Sequence, residues 1–379
     1  MEIDAEKSEP KYRQLKQIIL RYFEQEHYQA DQQIPTEIEF AERFQVSRGT
    51  VRQTLTELVN EGVIYKKHGV GSFFAGKQAR EARARSGLIG AITPAMFRYI
   101  FPHVLRGIND VIYQKGYNLV ISDLGDGFDD EYPHLERMLT HGIDGLIFEP
   151  NSSGRTKRFQ DTRTFALLKS LTIPVVFMGW TFENAGVSCV SLDDMEGGFR
   201  ATTHLIENGH RRIACLYMSD HEPALLRYQG YRKALEIHNI PVDSRLEKSR
   251  PTATWTHANS AYTLTQDLLA LGEERPTAIF FFNDRAAIQG YAAIREAGLR
   301  IPDDVSVIGF DDSDFAAQID VPLTSVIHPK YQLGKWAAEM LLEQLDAPCR
   351  CTPRQMILHP SIAVRDSVKT LRERISSEI

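Results

Sequence analysis

Cysteine is scarce in this chain of 379 residues, which contains four. Cys189, Cys215, Cys349 and Cys351 do not show the spacing of a small disulfide-stabilised secreted domain. Reduced thiols in a cytoplasmic protein are the simplest interpretation. Cys349 and Cys351 also lack the spacing and the histidine partners of a zinc site, so we expect neither a metal nor a cofactor.

The sequence also has no long hydrophobic run. None approaches the roughly twenty apolar residues of a membrane-spanning helix. The first ten residues, MEIDAEKSEP, are acidic and polar, whereas a signal peptide needs a basic start and an apolar stretch. We therefore expect a soluble cytoplasmic protein, and the length predicts two or three domains.

An overall positive charge, common among nucleic-acid-binding proteins, is missing as well, since the net charge is −6. The charges are distributed unevenly. Residues 1 to 42 hold five Lys or Arg against ten Asp or Glu, whereas residues 43 to 86 hold nine against three. This basic segment has the size of a small DNA-reading module.

The run VSRGTVRQTLTEL, residues 46–58, has the pattern of a helix that reads DNA. Ser47 is a good N-cap, and apolar residues recur behind it at the spacing of a buried helical face. Other side chains of this run can bond base edges in the major groove: Arg48, Thr50, Arg52 and Gln53. An ordinary solvated helix face is the alternative, because charged runs on helices are common.

The neighbouring segments favour DNA reading. One helix is predicted from Pro10 to Glu26. A second helix is predicted to begin at Pro35 and Thr36 and to end at Phe44. A short turn at Gln45–Val46 then completes a helix-turn-helix, whose second helix reads bases. Residues 62–75 predict a hairpin with a basic tip that includes Lys67, His68 and Gly69, and glycine there permits close backbone approach to a phosphate.

The run from Lys11 to Ala75, with IPTEIEFAERFQVSRGTVRQTLTELVNEGVIYKKHGVGSFFA, resembles the winged-helix domain of the GntR family of bacterial regulators. The family usually has Gly-Leu where this chain has Gly62-Val63, a difference expected only to alter packing. The resemblance implies DNA contacts by the recognition helix and the wing, and a phosphate contact by Arg43. Together, the residues and the resemblance give these candidate DNA contacts: Arg43, Ser47, Arg48, Thr50, Arg52, Gln53, Lys67, His68 and Gly69.

Strands alternate with helices from Leu88 onward, which predicts parallel sheets covered by helices on both faces. The alternation occurs twice, so we expect two lobes that face each other across a cleft. The predicted fold class is α/β, with an N-terminal winged helix-turn-helix and a two-lobed domain. The predicted domains are 10–77 for DNA binding, 78–87 as a charged linker whose arginines are expected to be solvated, and 88–368 for the effector.

Ligands of open α/β sheets bind beyond the carboxyl ends of the strands, where this chain places polar residues. Acceptors and one Arg donor suit a ligand with hydroxyl groups, and an aromatic side chain can cover its ring. The candidates are Glu149, Arg227, Asn283 and Asp311, with Tyr99 and Trp255 for stacking. Helix capping is the alternative for Asn283, Asp284, Asp311 and Asp312, and Asp284 is the best candidate for a pure cap.

Residues 88–368 resemble the effector domain of the LacI/GalR repressors, which has the fold of periplasmic sugar-binding proteins. The resemblance is carried by IENGHRRIACL, RYQGYRKAL, RPTAIFFFNDRAAIQG and LRIPDDVSVIGFDDSDFA. It implies ligand contacts by Arg227, Asn283 and Asp311, with Glu149 and Trp255 facing the cleft. It also implies that the chain crosses between the lobes near Asp193, Asp312 and Pro329.

The combination of both modules resembles regulators of arabinose use in Gram-positive bacteria. It implies a homodimeric repressor that binds a near-palindromic double-stranded DNA operator and is released by an L-arabinose-like sugar. An activator, or a regulator that responds to another carbohydrate or a sugar phosphate, is the alternative.

Two other classes of protein are disfavoured. A glycoside hydrolase would use the pairs Asp193-Asp194 or Asp311-Asp312, but neighbours on a strand point to opposite faces. The sequence also has no nucleophile elbow, P-loop or metal motif. A pure binding protein for transport would need a signal peptide and would leave the wing unexplained.

Overall fold

The computed structural model describes residues 11–60, 63–67, 71–75, 85–94, 99–125, 130–151, 159–180, 186–257, 259–346 and 352–371. The chain divides into two compact units, Met1–Ser86 and Gly87–Ile379. Within the described ranges, no helix is both long and apolar enough to cross a membrane.

The first unit is a winged helix-turn-helix, as predicted. Its strands pair antiparallel, with Ile64 opposite Phe74. Its core is formed by apolar residues of all three helices and of the hairpin. The elements are α1 (Lys11–Gln25), α2 (Glu37–Phe44), α3 (Arg48–Asn60), β1 (Ile64–Lys67) and β2 (Gly71–Phe74).

Local hydrogen bonds define the helix-turn-helix. Thr36 and Glu39 form a capping box that starts α2, because each side chain bonds the other residue's backbone N–H. Gln45 ends the helix in the left-handed conformation, with φ of 53°. Ser47 Oγ then accepts a hydrogen bond from the Thr50 N–H at 3.1 Å, the N-cap expected from the sequence.

The first lobe of the second unit is built on a six-stranded, all-parallel sheet with the order β13-β7-β6-β5-β3-β4. Its strands are β3 (Leu88–Thr93), β4 (Asn118–Asp123), β5 (Gly145–Phe148), β6 (Val175–Met178), β7 (Ser188–Leu192) and β13 (Gln355–Leu358). Its helices are α4 (Phe101–Gln114), α5 (Glu131–Thr140), α6 (Arg163–Ser170) and α12 (Lys330–Asp346).

The second lobe is built on a sheet with the order β14-β12-β11-β10-β8-β9, in which only β14 runs antiparallel to its neighbour. Its strands are β8 (Ile213–Met218), β9 (Glu247–Arg250), β10 (Ala278–Phe281), β11 (Ser306–Asp311), β12 (Thr324–Ile327) and β14 (Ser361–Ala363). Its helices are α7 (Asp194–Glu207), α8 (Glu222–Ile237), α9 (Thr252–His257), α10 (Ser260–Leu269) and α11 (Asp284–Glu296). The predicted α/β class with two sheets is confirmed.

The chain crosses between the lobes at Asp193, at Pro329 and at His359–Pro360. The expectation of a crossing near Asp312 is wrong, because β11 and β12 on either side of it are neighbours in one sheet. Asp312 is instead held within the second lobe, where Arg365 Nη2 donates to its Oδ1 at 2.6 Å.

Two glycines allow α7 and α8 to pack in backbone contact. A Cβ on Gly198 would lie 1.9 Å from the carbonyl oxygen of Arg227, and one on Gly230 would lie 2.0 Å from that of Met195. Any side chain at either position would separate the helices. This close crossing brings Arg227 of α8 against Asp194, the first residue of α7.

Candidate ligand cavity and DNA-reading surface

A cavity of about 270 Å³ lies between the two lobes of the second unit. Its walls come from the carboxyl ends of strands in both sheets and from the segments that follow them. The volume is near the lower end of small-molecule sites, roughly 300–1,000 Å³, and so suits a small ligand. Five of the six candidate ligand residues line it: Tyr99, Glu149, Arg227, Asn283 and Asp311.

Arg227 is held on the cavity wall by contacts to three residues of the second lobe. Its Nε donates to Asp194 Oδ1 at 2.7 Å, and its Nη1 donates to the Phe282 carbonyl oxygen at 2.6 Å. Nη1 also lies 3.5 Å from Asp311 Oδ1. Burial alone would lower the pKa of Arg227, but the two carboxylates raise it, so the guanidinium stays charged.

Tyr99 connects the lobes at the edge of the cavity. Its hydroxyl donates to Asp311 Oδ2 at 2.5 Å and accepts a hydrogen bond from the Asp284 N–H at 3.2 Å. A second contact between the lobes joins His103 Nε2 to Asp314 Oδ1 at 2.9 Å. Burial and the nearby Asp311 and Asp284 raise the pKa of Tyr99 well above its usual value, so the hydroxyl remains a donor.

Glu149 follows β5 and faces the cavity from the first lobe. Its Oε2 is shielded from solvent and has no hydrogen-bond partner among the described residues. Burial, with a smaller contribution from the charge of Asp194, raises the pKa of Glu149 to about 8. The carboxyl group is therefore mostly protonated at neutral pH.

Asn283 both lines the cavity and caps a helix, since its side chain accepts a hydrogen bond from the Ala286 N–H at 2.9 Å. Asp284, the candidate for a pure cap, is fully buried in the first turn of α11. Its carboxylate accepts hydrogen bonds from Ser313 and Ser325 and so fastens α11 to β12.

Trp255 is placed differently from the other candidates. Its ring packs at 78° against Phe282, with 5.1 Å between centroids, in the core of the second lobe. Trp180, which follows β6, lines the cavity together with Tyr99. The contact of Trp255 with a ligand stays a prediction.

Sequence reasoning missed two histidines of the cavity wall. His221 caps α8, because its Nδ1 accepts a hydrogen bond from the Ala224 N–H. His328 follows β12, and its buried Nδ1 has no partner among the described residues. Burial lowers the pKa of each to about 4, so both imidazoles are neutral at pH 7. His328 would have been found had β12 been predicted.

The exposed side of α3 carries several of the candidate DNA contacts. Arg48, Arg52 and Gln53 are exposed, while Val51 and Leu55 on the opposite side are buried. Arg52 is held by Glu37 of α2, with 3.1 Å between Nη2 and Oε2.

The remaining candidates are distributed around this helix. Ser47 and Thr50 bond each other through their hydroxyls at 2.8 Å, and Arg43 Nη1 donates to the Tyr22 hydroxyl at 3.1 Å. Lys67 ends β1, and the predicted contacts His68 and Gly69 lie outside the described residues.

Two family models match the chain. The model of bacterial regulatory proteins of the gntR family covers residues 11–74, and that of a periplasmic binding protein-like domain covers residues 202–368. The chain belongs to the bacterial transcriptional regulators in which a GntR-type winged helix precedes a periplasmic-binding-protein-like domain. It is a regulator and not an enzyme.

Particular relatives are similar over most of their length. An arabinose metabolism transcriptional repressor of Geobacillus stearothermophilus is 37% identical over 97% of this chain and 100% of its own. A repressor of the same name from Halalkalibacterium halodurans is 30% identical over 88% of this chain and 90% of its own. A solved structure of a LacI family regulator from Enterococcus faecium contains bound ribose. It is 26% identical to this chain, has a TM-score of 0.63, and covers 75% of this chain and 100% of its own.

Proposed function

We propose that this protein represses genes of sugar utilisation and that a small neutral sugar, L-arabinose in the first place, releases it from its operator. The observation that carries the proposal is the cavity between the lobes, where carboxyl groups, two arginines and aromatic rings surround a volume of about 270 Å³. Such groups bond the hydroxyls of a sugar and cover its ring. The names of the relatives at 37% and 30% identity favour arabinose.

The charges of the cavity favour a neutral sugar over a sugar phosphate. Three acidic side chains, Glu149, Asp194 and Asp311, line it against the arginines Arg227 and Arg285. Arg227 is already bonded to Asp194 and lies next to Asp311. A phosphate would enter a site with few free donors and with carboxylates close by, which costs electrostatic free energy.

For DNA, we propose that α3 enters the major groove, with Arg48, Thr50, Arg52 and Gln53 reading bases and Ser47 near the backbone. Arg48, Arg52 and Gln53 are exposed on one side of α3, which supports this role. Arg43, Lys67, His68 and Gly69 are proposed to hold phosphates or an adjacent groove. A homodimer would present two such helices to a near-palindromic operator.

Closure of the lobes offers a way for the sugar to act. Tyr99 and His103 of the first lobe contact Asp311 and Asp314 of the second lobe. A ligand in the cavity would contact the same segments that join the two lobes. A ligand that prefers one arrangement of the lobes shifts their equilibrium by its differential affinity. A few kcal/mol are enough for a large change in population.

Titration calorimetry on the full chain tests the effector, with L-arabinose, other pentoses, hexoses and their phosphates. We expect binding of a neutral sugar and none of its phosphate. Asp311→Asn should weaken binding about tenfold or more, because a hydrogen bond to a charged group contributes roughly 1.5–3 kcal/mol. The same change at Asp267, exposed on α10, is the control and should have no effect. Binding of phosphates alone would refute the choice of effector.

A further inference from the structure

The carboxyl group of Glu149, a half-buried residue, has one oxygen that the fold shields from solvent and leaves unsatisfied. Its Oε2 is shielded from solvent and bonds no described residue, although the side chain faces the cavity. Its Oε1 lies beside Gly179, where an added Cβ would come within 3.1 Å of it. Buried polar atoms normally have partners, so an unpaired one on a cavity wall indicates a position that a ligand satisfies.

The charges near Glu149 disfavour a second carboxylate there. Besides burial, the charge of Asp194, itself an acid, raises the pKa of Glu149. No ion pair joins Glu149 to a cation among the described residues, and Arg227 is engaged by Asp194 and Asp311. A ligand that fills the cavity would also remove the remaining water, which disfavours the charged form further.

Resting on the proposed sugar effector, we propose that Glu149 contacts the ligand in its protonated form and donates a hydrogen bond from its carboxyl group to a hydroxyl oxygen of the sugar. A neutral carboxylic acid can donate as well as accept, whereas a carboxylate only accepts. Glu149 thereby complements Asp311, which can only accept from the ligand. The raised pKa of about 8 agrees with this form at pH 7.

The proposal predicts that alkali weakens effector binding. With a pKa of about 8, the protonated fraction of Glu149 falls about tenfold between pH 7 and pH 9. The affinity for L-arabinose should fall by the same factor. Glu149→Gln keeps a donor and an acceptor in the same shape but cannot ionise, so its affinity should not show this tenfold fall. Glu149→Ala should bind weakly at both pH values.

Other titratable groups around the cavity do not imitate this profile. His221 and His328 have pKa values lowered to about 4, and the pKa of Tyr99 is raised, so all three are neutral from pH 7 to pH 9. Burial raises the pKa of Asp194 while the neighbouring Arg227 lowers it, and the wall also carries Asp311, Arg227 and Arg285.

One further acid requires the Glu149→Gln control. Burial and the charge of Asp311 raise the pKa of Asp284, which lies behind Asp311, to about 7. Any contribution from its titration is common to wild type and Glu149→Gln, so the difference between their pH profiles isolates Glu149.

The test has two parts. Titration calorimetry measures the affinity for L-arabinose at pH 7 and pH 9. Infrared difference spectra, wild type minus Glu149→Gln, are recorded without sugar at the same two pH values. We expect a protonated-carboxyl band at pH 7 that fades by pH 9, and a tenfold loss of affinity in wild type only. Absence of the band at pH 7, or equal pH profiles of the two proteins, would overturn the inference. If the band is present but no neutral sugar binds, the proposed effector is wrong while the protonated carboxyl group stands.

Discussion

Replacing Arg227 by alanine should destabilise the second unit strongly. Arg227 is 7% exposed, and the carboxylates it contacts, Asp194 and Asp311, are 6% and 3% exposed. The change leaves two buried carboxylates and the Phe282 carbonyl oxygen without this donor. Breaking a buried ion pair by removing one partner costs about 3–5 kcal/mol, and we expect a loss of this size in the free energy of unfolding.

Tryptophan fluorescence during urea unfolding of the full chain measures this loss selectively. All three tryptophans, Trp180, Trp255 and Trp336, lie in the second unit, so the winged helix does not contribute. Arg245→Ala is the matched control, because Arg245 is an exposed arginine of the same unit that pairs with Asp243 and Glu274. Exposed pairs contribute about 0–1 kcal/mol.

Acid offers a second check on Arg227. Burial raises the pKa of Asp194, so at a pH low enough to protonate it an uncompensated charge disappears, and the difference between Arg227→Ala and wild type should shrink. Arg227→Ala should also lose L-arabinose binding, whereas Arg245→Ala should keep it. A loss of stability no larger than that of Arg245→Ala at neutral pH would refute the reasoning.

Three further outcomes are expected. Gly230→Ala should destabilise the second unit by about 1–3 kcal/mol in the same urea assay, because its Cβ would lie 2.0 Å from a carbonyl oxygen of α7. An unfolding midpoint equal to that of wild type would contradict this. Burial lowers the pKa of His210 to about 4 in the folded protein, below the value of about 6.5 in the unfolded chain. The neutral imidazole therefore contributes its full share to the free energy of unfolding above about pH 6.5, and this share is lost as the pH falls toward about 4. His210→Gln should flatten that part of the pH–stability curve, and an unchanged curve would remove His210 as its cause. Arg52→Ala should cost about 1–3 kcal/mol of affinity for the operator, and an equal loss on random DNA in a gel-shift titration would show a phosphate contact instead.

The sequence predicted the elements with strong periodicity closely. The buried strands Leu88–Thr93, Gly145–Phe148 and Val175–Met178 are continuous apolar runs bounded by turns, and they begin and end where the pattern indicates. Helix α3 starts at its predicted N-cap because Ser47 satisfies the first free N–H groups.

Short or polar strands were not predicted. The sequence SCVSL of β7 is mixed in polarity, yet the strand is wholly buried between two neighbours. The sequence EKSR of β9 is polar, and its place at the edge of the sheet comes from pairing with β8. Such strands depend on tertiary contacts more than on local pattern. The strands β13 and β14, which flank the crossing at His359–Pro360, were not predicted either, whereas the wrong crossing near Asp312 came from the resemblance.

The rule that polar residues after strands face a ligand led to Glu149, Asn283 and Asp311, all of which the structure places on the cavity wall. Trp180 lies two residues after the strand VVFM, but it is not polar, so this rule did not select it. Asp194 and Arg227 meet only because α7 and α8 cross at glycines, a long-range contact that no local pattern shows.

Release of DNA by sugar tests the central claim most directly. Fluorescence anisotropy would follow the full chain on a labelled duplex that the protein itself has selected from a random pool, with and without L-arabinose. We expect L-arabinose to weaken binding to this duplex at least tenfold and its phosphate to leave binding unchanged. Binding to the selected duplex that no neutral sugar alters, or that is no tighter than binding to random DNA, would contradict the account.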